Sequence, residues 1–278
     1  MARAVLVTGA SSGIGRATAH VLAGSGYRVF AGMRSVPDDP PQEGICPVVL
    51  DVTDPASIAE ACRTLAARLE GQGLFALVNN AGIGDTRPLE FTPMDAFRKV
   101  FEVDVFGVLA VTQAFLPLIH RGRGRIITIG SVGGMITIPF GGALCASKHA
   151  VEAVSDALRL ELWEAGIPVT LIQPASINSG AAEKLASQTG AVIAGLPPEG
   201  RRRYADALRH FMKVTLRKEA QGSPPEAVAE VVLRVLRAGR PPARILAGKD
   251  GRRIRFLARW MPVPWRDAVL RKILLGGP

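Results

Sequence analysis

Seven short apolar runs recur along the first 250 residues of the chain, and a helix-length segment follows each of them. The runs are continuous in Val, Ile and Leu, which is typical of strands buried on both faces of a parallel sheet. They lie at residues 3–9, 27–33, 46–52, 73–80, 124–131, 168–174 and 243–248. Because parallel strands need crossover connections, the pattern predicts an α/β fold: a doubly wound parallel sheet of about seven strands with helices on both faces.

The chain has the size and composition of a single domain. Its 278 residues, of which 48% are hydrophobic and 21% charged, are enough for one full core, and no linker divides them. Two regions depart from the alternation. A helical but irregular stretch at 180–222 predicts a lid over a substrate, and a basic amphipathic extension occupies 249–278.

The sequence also predicts the cellular compartment. No secretion signal is evident, so we expect a cytoplasmic protein. Cys46, Cys62 and Cys145 are odd in number and lack metal-ligand spacing, which favours reduced thiols and predicts no metal site. The most apolar long segment, 103–119, contains charged and polar residues and a proline, so it predicts a buried core helix rather than a membrane span.

The chain is strongly basic, with a net charge of +10 and an isoelectric point of about 10.2. The basic residues gather at 201–218 and in the C-terminal extension, without stacked aromatics between them, so we expect no nucleic-acid partner. A solvated face, an acidic ligand or a membrane surface explains the charge equally well. The extension interleaves arginines with tryptophans and leucines, which predicts peripheral membrane contact, a flap over the substrate mouth or a subunit contact.

A glycine-rich turn follows the first strand in "VLVTGASSGIGRATAHVLA", which begins at Val5. Gly9, Gly13 and Gly15 let the backbone turn tightly and approach a ligand closely. The free N–H groups at the start of the next helix, together with the helix dipole, favour a diphosphate. The turn therefore predicts a Rossmann-like dinucleotide site, although its spacing differs from the common G-x-G-x-x-G.

Five motifs in order, "TGASSGIG", "LDVTD", "NNAG", "GS" at 130–131 and "ASKHAVEA", resemble the short-chain dehydrogenase/reductase family over nearly the whole chain. The similarity is greatest to members acting on hydroxysteroids, retinoids and similar lipophilic alcohols and ketones. The resemblance implies a nicotinamide cofactor, a lipophilic small-molecule substrate, and a homodimer or homotetramer packed through helices at 92–119 and 142–164.

The resemblance also assigns cofactor contacts. The diphosphate would be held by Gly9, Ser11, Gly13, Ile14 and Gly15. The adenine would meet Asp51 and Val52, and the adenosine ribose would pass near Asn79, Ala81 and Gly82. The nicotinamide end would meet Lys148, Pro174, Ile177 and Ser179. Ser179 stands where the family usually has threonine, and Ala175 replaces a usual glycine.

The cofactor expected is NADP (NADPH). An acidic residue at the end of the second strand would bind the ribose hydroxyls of NAD and repel a phosphate. That position is Met33, and Arg34 and Ser35 follow it. An arginine there can pair bidentately with a 2′-phosphate, although a solvated loop charge is the alternative interpretation.

The catalytic set departs from the family at two positions. The family uses serine, tyrosine and lysine, with a helical asparagine supporting a water relay. Ser131 and Lys148 fit the first and third roles. Leu144 stands at the tyrosine position and Asp104 at the asparagine position. Because leucine has no proton to transfer, the standard mechanism cannot run through position 144, and an inactivating Tyr→Leu change is one reading of this position.

Other side chains could in principle supply the proton in place of a phenol at position 144. Cys145 and His149 are each rotated about 100° from the functional face of the helix, which favours a packed thiol and a surface imidazole. Tyr27 should lie far from the site, whereas Tyr204 in the predicted lid is the tyrosine that could swing in. Asp104 could titrate through a water chain to Lys148, or simply keep a helix-bulge hydrogen bond.

Three functions remain open on the sequence. The first is an NADP-dependent oxidoreductase acting on a lipophilic ketone or alcohol, with its proton from water, Asp104 or the substrate. The second is a redox-silent NADP-binding cyclase, isomerase or dehydratase. The third is a non-catalytic binding protein. The identity of the substrate is not encoded in any motif.

Overall fold

The computed structural model describes residues 2–36 and 41–276. Its centre is a seven-stranded parallel sheet in the order β3-β2-β1-β4-β5-β6-β7. The strands are β1 Ala4–Thr8, β2 Arg28–Met33, β3 Ile45–Val49, β4 Ala76–Asn79, β5 Arg125–Ile129, β6 Val169–Pro174 and β7 Arg244–Ala247. All seven predicted strands are confirmed, and so is the doubly wound α/β fold.

Helices connect the strands and extend beyond them. They are α1 Gly13–Gly24, α2 Pro55–Arg68, α3 Met94–Phe101, α4 Gly107–Arg121, α5 Gly142–Glu161, α6 Ala181–Gly195, α7 Pro198–Ala220, α8 Glu226–Arg237, α9 Gly251–Trp260 and α10 Val263–Leu275. A π-helical turn, Glu102–Phe106, joins α3 to α4. The predicted lid is the pair α6 and α7, and the C-terminal extension forms α9 and α10; its last two residues, 277 and 278, lie outside the described residues.

Two apolar layers cover the sheet, one on each face. Successive side chains of β1 point to opposite layers: Val5 and Val7 pack with α1 and α8, whereas Leu6 packs with α2 and α4. Because both faces of the sheet are buried, the strand sequences are continuously apolar and do not alternate between apolar and polar residues. The strand order reverses between β1 and β4, and ligands of open α/β sheets bind in the crevice at the carboxyl ends of such strands.

The helix ends test two local predictions. Asp54 caps α2 by accepting the Ala56 N–H at 2.9 Å, as its position before Pro55 predicts. Ser223 looks like an equivalent cap for the next long helix, but that prediction is wrong. Its backbone pairs with Ser176 and Asn178 instead, and α8 begins three residues later.

One helical stretch among the described residues, Met94–Arg121, is long and apolar enough by composition to cross a membrane. Half of its most apolar window is buried in the protein. Val111, Phe115 and Ile119 of α4 are fully buried against the sheet. The segment at 103–119 therefore supplies a core helix, as predicted.

Candidate active site

The glycine-rich turn lies at the carboxyl end of β1 and is packed tightly from behind. Gly9 has a φ of +63°, and a side chain there would meet the Ala81 backbone at 2.8 Å. A Cβ on Gly15 would lie 2.2 Å from the Gly9 carbonyl oxygen. Ser11 and Ser12 are exposed on the outer side of the turn, just before α1. The turn therefore presents backbone at the start of a twelve-residue helix, as a diphosphate site requires.

Thr8 and Asn80 hold this turn against β4, and the sequence analysis did not single out either residue. The Thr8 hydroxyl accepts the N–H groups of Asn80 and Ala81, each at 2.9 Å. The Asn80 amide donates to the carbonyls of Thr8 and Gly9, at 2.9 and 3.2 Å. Asn79, by contrast, points to the other layer and donates to Thr112 of α4 at 2.9 Å. The second asparagine of "NNAG" is therefore the one that shapes the loop.

The region expected to hold the adenosine lies beside that turn. The Ala10 N–H donates to Gly32 at 3.0 Å, which brings the end of β2 next to the glycine loop. Arg34 and Ser35 follow and are exposed. Hydrogen bonds from Thr53 lower the pKa of Asp51, and the charge of Arg34 lowers it further. The end of β2 therefore carries Met33, Arg34 and Ser35, and the charge of Arg34 lies near Asp51.

Ser131 caps a short turn after β5. Its Oγ accepts the Gly133 N–H at 3.0 Å, so its own hydroxyl hydrogen is free to be donated elsewhere. A side chain on Gly133 would lie 3.3 Å from this Oγ and 3.6 Å from the Cys145 Sγ. Gly133 therefore brings the turn of Ser131 close to Cys145, in the first turn of α5. The same helix carries Leu144 and Lys148.

Leu144 and Lys148 lie one turn apart on α5, as their spacing predicts. Leu144 is half-buried, and its Cδ2 would be 3.8 Å from a side chain on Gly84. The Lys148 side chain is 11% exposed, and its Nζ would be 3.3 Å from a side chain on Gly82. Leu144 and Lys148 therefore both lie against the segment that contains Gly82 and Gly84.

Asp104 forms a buried ion pair with Lys148. The distance between Asp104 Oδ2 and Lys148 Nζ is 3.0 Å, and the aspartate side chain is fully buried. Its Oδ1 accepts the Ile83 N–H at 2.8 Å, and its Oδ2 also accepts the Ser147 hydroxyl at 3.2 Å. Both oxygens therefore already accept hydrogen bonds. Neither Ile83 nor Ser147 was anticipated from the sequence.

Cys145 is packed inside the protein, and His149 lies on its surface. Cys145 is 1% exposed, and burial raises the pKa of its thiol. His149 is exposed, and its Nδ1 lies 2.8 Å from the Cys145 carbonyl oxygen. The packed thiol and the surface imidazole expected from the helical rotation are both observed.

The two tyrosines lie at different distances from the site. Tyr27 stacks on Phe75 at the amino end of the sheet, away from the crevice. Tyr204 of α7 donates its hydroxyl to Glu90 at 2.7 Å, and this bond raises the pKa of the phenol. Its ring packs edge-on against Phe140. The Tyr204 hydroxyl therefore joins α7 to the segment of Glu90 and is directed to that carboxylate.

The loop after β6 is held by the lid. Glu219 of α7 accepts the N–H and the hydroxyl of Ser179, both at 3.0 Å. It also accepts the N–H groups of Ala181 and Ala182 at the start of α6. The Ile177 side chain is 6% exposed and packs into the core. Ser179 therefore positions the loop through Glu219, a role that no sequence motif indicated.

Lys184 connects the lid to the glycine loop across the crevice. Its Nζ lies 3.5 Å from the Ser12 Oγ. Leu185 is the next residue of α6. Its Cδ1 lies 3.5 Å from the point where a Cβ on Gly84 would stand, and Leu144 borders the same point. The lid thus places one cation at the diphosphate turn and one apolar group at the catalytic end.

A sequence model described as "short chain dehydrogenase" matches residues 3–190 of this chain. The chain belongs to the short-chain dehydrogenase family. Its members are oxidoreductases, so the chain is an enzyme of that class.

Named relatives of this short-chain dehydrogenase extend over nearly its full length. Retinol dehydrogenase 5 of Mus musculus is 34% identical, over 97% of this chain and 88% of the relative. An 11-beta-hydroxysteroid dehydrogenase type 2 of Oryctolagus cuniculus is 32% identical, over 97% of this chain and 73% of the relative. A solved short-chain dehydrogenase from Streptomyces avermitilis superposes with a TM-score of 0.73 at 26% identity, covering 96% of this chain and 93% of the other.

Proposed function

We propose that this short-chain dehydrogenase is an NADP-dependent oxidoreductase that interconverts a ketone and an alcohol of a lipophilic small molecule, with a non-standard proton donor. One observation carries the proposal. Leu144 and Lys148 lie one turn apart on α5, beside Gly84 and Gly82, and the glycine loop at the end of β1 is closely packed from behind. This arrangement supports a bound nucleotide with an aliphatic side chain at the position of the usual acid.

The residues present fit a nicotinamide dinucleotide. Close packing behind Gly9 and Gly15 leaves backbone facing the crevice, and Lys184 adds a cation at the diphosphate turn. Arg34, with no acidic residue at the end of β2, supports the choice of NADP over NAD. When bound, the cofactor would donate or accept the hydride.

The substrate class follows from the lid. The inner surfaces of α6, α7 and the loop before α5 pack together through Leu185, Phe140, Phe211 and Met212. Two relatives carry the names of dehydrogenases for retinol and hydroxysteroids, which are lipophilic alcohols. An apolar lid over an apolar catalytic position supports a substrate of the same character.

The chain's own groups divide the chemistry between them. Ser131 has a free hydroxyl hydrogen to donate to the substrate oxygen. Lys148, fixed by Asp104, would hold the nicotinamide ribose. Since both Asp104 oxygens already accept hydrogen bonds, we assign it a positioning role. We propose that the proton comes from water admitted beside Leu144.

A redox-silent cyclase, isomerase or dehydratase is the second candidate. Leu144 makes the site more apolar, and Asp104 adds a buried carboxylate. Both changes fit a reaction that retains NADP as a structural element. A non-catalytic binding protein is the weakest of the three, because the serine and lysine are retained.

The functions are separated by incubating the protein with NADPH and a panel of lipophilic ketones while following absorbance at the nicotinamide band. Consumption of NADPH supports the first function. Tight binding of NADPH without consumption, together with conversion of a substrate to an isomer, contradicts it and establishes the second. Loss of turnover in an Asp104→Asn variant that still binds NADPH would make Asp104 the acid and overturn the positioning role.

We also propose a homodimer or homotetramer in the cytoplasm. Exposed apolar side chains lie on the two helices expected at the interface: Phe106 is 54% exposed, Leu160 65% and Trp163 72%. Three free cysteines fit a reducing compartment. Sedimentation velocity should give at least a dimer, and a Phe106→Asp, Trp163→Asp double variant should sediment as a smaller species.

A further inference from the structure

The C-terminal extension carries a cluster of exposed apolar side chains. Five of the twelve large apolar residues that are exposed among the described residues lie within eighteen positions: Phe256, Trp260, Val263, Trp265 and Ile273. Trp260 and Trp265 are each 70% exposed. Such a concentration exceeds the scattered apolar residues of an ordinary surface and marks a contact site.

Arginines surround these aromatic groups. On α9 the half-buried Ile254, Leu257 and Ala258 face the protein, so the opposite face is outward. That face carries Phe256 and Trp260 with Arg252, Arg255 and Arg259, all exposed. A helix that presents aromatics and arginines on one side matches an anionic interface, in which the rings enter the headgroup layer and the cations meet phosphates.

An arginine-rimmed cleft adjoins this face. It has a volume of about 490 Å³ and lies between α8, the edge strand β7 and α9. Its rim is formed by Arg234, Arg244, Arg252 and Arg255 over an apolar floor of Val235, Ile245 and Leu246. Arg244 is paired with Glu152 and Asp156, whereas the side chains of the other three have no partner among residues 2–36 and 41–276.

We propose that α9, α10 and this cleft form a docking surface for an anionic phospholipid bilayer, with a lipid phosphate held in the cleft. Charge complementarity selects the occupant: three unpaired arginines and a chain charge of +10 favour anionic headgroups. The exposed aliphatic residues Val263 and Ile273 favour a bilayer over a nucleic acid, which offers them no apolar layer.

The inner side of the extension leads to the lid. Leu270, Leu274 and Leu275 of α10 pack in one apolar cluster with Phe211 and Met212 of α7. Docking by the outer side would therefore place the lid at the bilayer, where a lipophilic substrate is dissolved. This consequence rests on the proposed function, whereas the docking itself does not.

The test is flotation of the full-length protein with vesicles, without nucleotide. Vesicles of phosphatidylcholine that contain about 40% of the anionic lipid phosphatidylglycerol are compared with vesicles of pure phosphatidylcholine. Wild type is compared with Phe256→Ser/Trp260→Ser and with Arg252→Glu/Arg255→Glu. Val49→Ser, which removes an exposed apolar side chain on the edge strand β3, and Arg68→Glu on α2 are the controls.

We expect salt-sensitive binding to the anionic vesicles only. The aromatic variant should lower the partition coefficient about tenfold or more, and the charge-reversal variant roughly 100-fold. Both controls should bind as wild type does. NADPH affinity and the unfolding temperature should be unchanged in all variants, which separates a failure of docking from a failure of the proposed function.

Three results would overturn the proposal. They are equal binding to neutral and anionic vesicles, no binding to either, and tail variants that bind as tightly as wild type. Displacement of the vesicles by duplex DNA, with the same loss in the same variants, would assign the surface to nucleic acid and also contradict it.

Discussion

Leu144 determines what the retained residues of the site can do. It lies one helical turn before Lys148 and beside Gly84, where the family has its proton donor. A positioned acid or base typically contributes about 10²–10⁴-fold to a rate. On the proposed function, the chain lacks that factor, and hydride transfer would be paired with a slower source of protons.

Restoring the phenol should restore the rate. Leu144→Tyr places a hydroxyl one turn from Lys148, and we expect kcat for NADPH-dependent ketone reduction to rise about 10²-fold or more. Leu144→Phe is the matched control, because it adds the ring without the hydroxyl and should leave kcat near the wild-type value. Equal rates for the two variants would show that the pocket does not hold a carbonyl at Ser131.

The Asp104–Lys148 pair should be important for stability. Removing one partner of a buried pair leaves an uncompensated charge, so Asp104→Ala should lower the free energy of unfolding by about 3–5 kcal/mol. Asp104→Asn keeps an acceptor for the Ile83 N–H and should cost less. Urea unfolding of the two variants measures the difference. A loss below about 1 kcal/mol in the alanine variant would contradict a tight pair.

At the scale of elements, the lid depends on one carboxylate. Glu219 of α7 accepts four donors from Ser179, Ala181 and Ala182 and so joins the end of α7 to the start of α6. The free N–H groups at a helix start need such acceptors.

Glu219→Ala should release the start of α6. We expect hydrogen exchange at the Ala181 and Ala182 amides to accelerate about tenfold, as loss of roughly 1–2 kcal/mol of capping predicts. Glu199→Ala, at the exposed start of α7, is the control and should leave those two amides protected. Unchanged exchange in the Glu219 variant would mean that other contacts hold the lid.

The sequence predicted the strands because both faces of the sheet are buried, which leaves a local signal in every strand. It also predicted that residues 180–222 are helical, that the Cys145 thiol is packed and that the His149 imidazole lies at the surface. It did not predict the Glu219 cap or the Ser147 and Ile83 bonds to Asp104. These contacts join residues between 21 and 43 positions apart, so they depend on how the helices pack. Ser223 failed as a cap because its backbone pairs with the loop after β6.

At the scale of the whole molecule, the elements that carry the predicted cofactor-binding and catalytic residues end at the crevice where the strand order reverses. β1 contributes the glycine turn, β5 leads to Ser131, and α5 contributes Lys148. Asn80 links the first of these to β4. The account as a whole requires that a nicotinamide dinucleotide occupy this crevice.

Calorimetric titration of NADPH into wild type, Gly15→Ala and Gly24→Ala tests that requirement most directly. A side chain on Gly15 would lie 2.2 Å from the Gly9 carbonyl oxygen, whereas one on Gly24, in the same helix, meets nothing within 4 Å. We predict one NADPH site per chain, tighter for NADPH than for NADH, retained in Gly24→Ala and lost in Gly15→Ala. No binding to wild type, or equal binding to both glycine variants, would contradict the account.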